Sequence, residues 1–149
     1  MIREARFAEA ALVGACANVI LTTFQRITLG SPEVNSAISE FASSASVAEH
    51  VTFLLLIALI IPAGEELIFR GMLWRFAKRF MNEDYVAWAV AISFAFMHSF
   101  ESAVFLFPFS VYLSHLRYTT ESVRAGIVSH VAFNTTGVVF PSVMNWILT

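Results

Sequence analysis

Apolar residues fall into five long stretches, 8–29, 47–80, 85–100, 103–118 and 122–148, and most charged and small polar residues lie between them. Stretches of this length approach the roughly 20 residues that carry an α-helix across a bilayer, although charge interrupts four of them early. The second is too long for one span and reads as emerging in a basic, amphipathic end at Arg75, Lys78 and Arg79. Residues 31–46 are rich in Ser and Ala, contain Pro32 and lack Lys and Arg. Gly137 and Pro141 predict a bend or break in the last stretch. The pattern predicts an all-α fold: a polytopic transmembrane helical bundle of about five spans, in a single membrane domain covering residues 1–149.

Composition sharpens this. Of 149 residues, 58% are hydrophobic, against roughly 45–50% in ordinary globular domains. Only 13% are charged, and the mean hydropathy is +0.72. Too few polar side chains exist to cover a soluble domain of this size, so disorder is excluded and a soluble enzyme is not expected. A net charge of −2 speaks against a nucleic-acid partner. Cys16 is the only cysteine, so no intrachain disulfide can form. The first residues resemble a signal peptide, with Arg3 and Arg6 ahead of an apolar stretch and Ala15-Cys16-Ala17 as a cleavage-like or lipidation-like site. Glu9 interrupts that stretch and the apolar pattern continues to Leu29, so a retained first membrane helix is the expectation.

Basic residues suggest an orientation. With the N-terminus in the cytoplasm, the interior holds Arg3, Arg6, Arg75, Lys78, Arg79, Arg117 and Arg124. The exterior loops, 30–46 and 99–102, then hold Glu33, Glu40 and Glu101 but no basic residue. Only Arg26 and Arg70 dissent, and Arg26 has no account at this level. Trp74, Trp88 and Trp146, with Tyr85 and Tyr118, read as an interfacial aromatic belt, and His50 and His115 also read as interfacial.

Glu65, Glu66 and Arg70 stand near the middle of the second apolar stretch. Three central charges cost roughly 8–10 kcal/mol on insertion scales, and the preceding apolar run returns about half of that. They must therefore be paired, neutralised or turned toward a wet cavity. Glu66 and Arg70 are four residues apart in the favourable acid-first order. Glu65 is rotated by about 100° and is not obviously served by the same arginine. Either all three form an interhelical clamp, or Glu66 and Arg70 form the clamp and Glu65 is left for chemistry as a general base.

The histidines bear on that choice. His98 stands four residues after Phe94, and His130 and Asn134 share a face of the last stretch. A lone histidine in an apolar helix is more often a hydrogen-bonded core residue than a catalyst, but two of them with an asparagine and a spare carboxylate are harder to dismiss. Glu65 and His98 are almost equidistant from the 78–84 turn, so a helical hairpin brings them to similar depth. His130 lies only six residues past Arg124, roughly 9 Å at helical rise, so its helix must start deep or tilt.

These residues resemble one family. Glu65-Glu66-Leu67-Ile68-Phe69-Arg70 matches an EExxxR motif, Phe94-Ala95-Phe96-Met97-His98 an FxxxH, and His130-Val131-Ala132-Phe133-Asn134 an HxxxN. In this order on apolar helices they resemble the CAAX-protease and bacteriocin-processing superfamily of glutamic intramembrane endopeptidases, also called the abortive-infection family. The resemblance covers about residues 50–136 and includes the lead-in Tyr118-Thr119-Thr120-Glu121-Ser122. It implies that Glu65, helped by His98, activates a water for attack on a peptide carbonyl. His130 and Asn134 would stabilise the oxyanion, and Glu66 and Arg70, supported by Phe94, would hold the geometry. The implied substrate is a membrane-anchored protein or peptide: a CAAX-like tail, a sorting tail or a peptide precursor. The implied location is the plasma membrane of a bacterium or archaeon, with the lipid bilayer as partner.

Other classes fit less well. The chain has no HExxH and no GxSxG. Two histidines and two glutamates could bind zinc or a di-iron pair, but no ExxH pair is present, so no cofactor is expected and zinc is the minority reading. A non-enzymatic immunity or scaffold protein that keeps the motif residues for packing is the main alternative. A transporter is less favoured, because the spans are few and show no inverted repeat.

Overall fold

The computed structural model describes residues 2–29 and 46–148, with side chains for 6–29 and 46–139. Five helices carry the fold: α1 (Ile2–Leu29), α2 (Val47–Ala77), α3 (Glu83–Phe96), α4 (Phe100–Thr120) and α5 (Arg124–Leu148). No strand occurs among the described residues. Residues 30–45 of the expected 30–46 loop and the side chains of Arg3 and Trp146 lie outside them.

Local sequence sets the helix ends. Ser46 caps α2 in a reciprocal box with Glu49: its amide donates to Glu49 Oε2 at 2.7 Å, and its Oγ accepts from the Glu49 amide. Asn82 caps α3 by accepting from the Tyr85 amide, with Glu83 and Asp84 in the first turn. Lys78 pairs with Glu83 at 2.9 Å, and this hydrogen bond holds the Glu83 carboxyl below its ordinary range. Met97, His98 and Ser99 form a turn that splits the 85–118 region into α3 and α4. Thr120 then ends α4, with Glu121 left-handed at φ 52°. Arg26 stands exposed in the last turn of α1, where a cation complements the helix's carbonyl end.

Helix α1 packs along α5, α3 packs along α4, and α2 leans on α5 and α3. Small residues make the closest approaches, as in membrane bundles generally. A Cβ at Gly14 would collide with the Ser129 carbonyl of α5. Buried Trp74, Ala77, Val86 and Val90 fix α2 to α3, and Phe109, Leu113 and Phe133 join α4 to α5. Large apolar side chains such as Leu12, Ile20, Leu59, Met72, Ile92 and Val104 face outward. A coat of this extent suits lipid rather than water.

The fold is a helical membrane bundle, as the apolar pattern predicts. Helices α1 and α2 are long and apolar enough to cross a bilayer. Helix α3 is shorter than expected: its 14 residues reach about 21 Å. Helix α5 continues past Gly137 and Pro141 as one helix instead of breaking there. Trp74 is not in an interfacial belt but is wholly buried, with its indole N–H donated to Glu83; Tyr85, Trp88 and Tyr118 are exposed. Arg6, Arg75, Lys78 and Arg117 share one end of the bundle, whereas Arg26 ends α1 and Arg70 is buried within α2. Arg117 lies over Trp74 near the α2–α3 turn, and Arg6 lines a cavity with His115, Thr119 and Ala125.

Candidate active site

The site is built on the middle of α2, where the two adjacent glutamates face different surroundings. Glu66 is 0% exposed. Its Oε1 accepts from Arg70 Nη1 at 2.9 Å and from His130 Nδ1 at 3.1 Å. Arg70, also 0% exposed, donates through Nη2 to the Ser110 carbonyl at 3.0 Å and to the Ser110 hydroxyl at 2.7 Å. That hydroxyl donates onward to the Ala91 carbonyl, so one serine ties α4 to both α2 and α3. The guanidinium also lies 4.5 Å from the centre of the Phe94 ring. Glu66 Oε2 and Arg70 Nε are buried without a hydrogen-bond partner among the described residues, so the pair rests on these bonds and on its own attraction. Losing either partner would leave the other as an uncompensated buried charge on top of that deficit.

Glu65 is the accessible carboxylate. Its side chain is 28% exposed, and Oε2 stands 3.6 Å from His130 Nε2. The ring of His130 therefore lies between the two glutamates and presents a different nitrogen to each. Donation from Nδ1 to Glu66 fixes the ring orientation, and in the neutral ring it leaves the Nε2 lone pair on the Glu65 side.

His98 reaches the site through an aromatic neighbour. It sits in the α3–α4 turn, donates from Nδ1 to the Phe94 carbonyl at 3.1 Å and packs 5.2 Å from the Phe94 ring. Phe94 in turn lies 5.5 Å from the His130 ring, edge to face. Among the described residues, His98 forms no ion pair with Glu65 within 4 Å. Asn134, one turn beyond His130, donates from Nδ2 to the Ile57 carbonyl of α2 at 3.0 Å. Thus Glu65, Glu66, Arg70 and His130 meet directly, His98 is joined through Phe94, and Asn134 through the α2 backbone.

Two contributors are absent from the sequence-based set. Ser110 is one of them. Gly126 is the other: a Cβ there would lie 2.8 Å from Glu66 Oε2, so α5 can approach this carboxylate only without a side chain. Both left a trace. Gly126, His130 and Asn134 follow one another at intervals of four, and Ser110 and Ser114 interrupt a phenylalanine-rich helix at the same interval.

Bound-metal chemistry finds a poor donor set here, because the two carboxylates address opposite nitrogens of one ring and do not converge. Among the described residues no three His, Cys, Asp or Glu side chains form a metal-binding group.

A helical membrane bundle with one sealed and one accessible carboxylate defines a membrane protein with a polar centre among its helices. The chain belongs to the Rce1-like family of type II CAAX prenyl endopeptidases, whose sequence profile matches residues 47–136. The match begins at the first residue of α2 and ends two residues past Asn134, so it contains the whole site. Membership places the protein among membrane-embedded proteases, as a hydrolase of that general kind. Neither the curated proteins nor the solved structures give a match to this chain.

Proposed function

We propose that the protein is a glutamic-type intramembrane endopeptidase that cleaves a membrane-anchored protein or peptide without a metal. The observation that carries this reading is the asymmetry of the glutamate pair: Glu66 is sealed by Arg70 and His130, whereas Glu65 is open to an incoming water.

In the proposed reaction Glu65 takes a proton from a water, assisted by the His98 imidazole, and the oxygen attacks the scissile carbonyl carbon. Oxyanion charge develops where the second N–H of Asn134 and, in its imidazolium form, the Nε2–H of His130 can donate; such donors are typically worth about 10²–10³ in rate each. The proton held by Glu65 then passes to the departing amine nitrogen as the C–N bond breaks. The basic end of the bundle is assigned to the cytoplasm by the positive-inside rule.

The packing reading draws on one observation, the bond from Asn134 to Ile57, which holds the bundle whether or not catalysis occurs. Glu65→Gln separates the two. It should abolish cleavage of a co-expressed membrane-anchored reporter while leaving the amount of protein in the membrane unchanged. Wild-type cleavage by this variant would sink the glutamate mechanism.

A further inference from the structure

Helix α2 departs from α geometry twice, at Leu56–Ile60 and at Leu67–Leu73, where it winds as a π-helix. A π stretch adds one residue to a turn and leaves a carbonyl at its C-terminal edge without its usual i+4 donor. In the first stretch, the Ile61 N–H goes back to Leu56, and Pro62 has no N–H. The Ile57 carbonyl thus lacks both helical donors, and Asn134 Nδ2 fills the place at 3.0 Å. In the second, the Trp74 N–H is shared between Phe69 and Gly71 and passes over Arg70. The Arg70 carbonyl instead accepts from Arg117 Nε of α4 at 3.1 Å. Each bypassed carbonyl is therefore met by a side chain from another helix, and the three site residues that α2 carries, Glu65, Glu66 and Arg70, lie between or within the two stretches.

We propose that Arg117 is a positioning residue for this site, its Nε–H holding the Arg70 carbonyl out of α register and so setting the rotation of Glu65, Glu66 and Arg70 toward His130. The inference rests on the glutamate reading for its effect on activity, but not for its effect on structure. Removing the donor lets the Trp74 N–H return to Arg70, and losing one residue from the winding turns one side of the helix by about 100° relative to the other. Trp74 cannot follow, because it is wholly buried against Val86 and Val90 and bonded to Glu83. The rotation falls on the segment carrying Glu65, which turns away from His130. Arg117 is itself held in place by its guanidinium over the Trp74 ring, 5.4 Å from the centroid.

The bonding atom makes a sharp test available. Glutamine Nε2 stands the same number of bonds from Cα as arginine Nε, so Arg117→Gln keeps an N–H donor there and removes the charge. Arg117→Met removes both, and Arg117→Lys keeps the charge with its nitrogen one bond further out. With purified protein in lipid nanodiscs and a reporter the wild type cleaves, Arg117→Met should lower kcat about tenfold, the scale of one lost hydrogen bond, with KM nearly unchanged. Arg117→Gln should retain most of the rate, and Arg117→Lys should fall between them. Unchanged kcat in Arg117→Met, or a lysine variant more active than the glutamine variant, overturns the proposal. If Arg117→Met does not accumulate, the glutamine–lysine order decides by itself. A second readout needs no activity: in a Cys16→Ala/Glu65→Cys background, the rate of thiol modification at position 65 should change when Arg117→Met is added and not when Arg117→Gln is added. Equal rates in all three overturn the positioning role. A wild type that cleaves nothing leaves this readout intact and counts only against the glutamate reading.

Discussion

Removing one member of the Glu66–Arg70 pair should be far more damaging than removing both. Arg70→Met leaves the Glu66 carboxylate buried at 0% exposure with only the His130 N–H to face it. Glu66→Ala strands the guanidinium, which keeps Ser110 and Phe94 but loses its counter-charge, and it also leaves His130 Nδ1 without an acceptor. Breaking a buried pair in this way typically costs about 3–5 kcal/mol, or about 6–20 °C in midpoint for a chain of this size. Glu66→Gln combined with Arg70→Met removes both charges and keeps an oxygen for the His130 N–H, so the double variant should be more stable than the less stable single one. The assay is thermal unfolding of detergent-solubilised protein, followed by fluorescence-detected size exclusion and arranged as a double-mutant cycle of Glu66→Gln, Arg70→Met and their combination. A coupling of about 2 kcal/mol or more is expected. Additive losses, or single variants with wild-type midpoints, would refute a clamp at this position.

Other perturbations test separate parts of the arrangement. Gly126→Val should push Glu66 out of reach of His130, because its added carbons start 2.8 Å from a carboxylate oxygen that Arg70 and His130 pin through the other oxygen; activity and midpoint should both fall. Ser110→Ala should lower the midpoint by the equivalent of about 1–3 kcal/mol through the lost bonds to Arg70 and Ala91, measured in the same unfolding assay. Gly14→Val should separate α1 from α5, since a backbone carbonyl stands where the new side chain must go; loss of a monodisperse elution peak would report it. Treatment with a strong chelator should leave cleavage unchanged, and loss of activity restored by zinc would favour a metal mechanism instead.

The bundle was readable because its signal is gross: long apolar stretches with basic residues at their ends. The clamp was readable because Glu66 and Arg70 are four apart, a spacing that survives the π winding: Arg70 Nη1 still reaches Glu66 Oε1 at 2.9 Å. The end of α3 was not, because apolar pattern alone does not separate Phe96 from the turn that follows. Trp74 was misread for a related reason. Tryptophan suits both a bilayer interface and a core with a polar partner, and the partner, Glu83, lies across a turn in the next helix. The π stretches are least visible, since the run Leu54 to Ile61 is apolar on every face and carries no phase from which a shift could be read. Pro62 was the one local sign that a carbonyl upstream would need a donor from elsewhere.

Why two adjacent glutamates should behave so differently follows from helix geometry and the surroundings together. A step of one residue turns the side chain by about 100°, which sends Glu66 into the bundle toward α5 and leaves Glu65 at its partly open flank. His130 makes this difference useful, because it touches both. Its bond to Glu66 fixes the ring, so the nitrogen facing Glu65 has a defined direction before any substrate arrives. The same bond requires Glu66 to remain an acceptor, which Arg70 ensures by pairing with the same oxygen. A clamp and the general base we propose are thus not competing accounts of these charges. Burying Glu66 with Arg70 is what orients the imidazole, and an oriented imidazole is what a lone carboxylate at position 65 would lack.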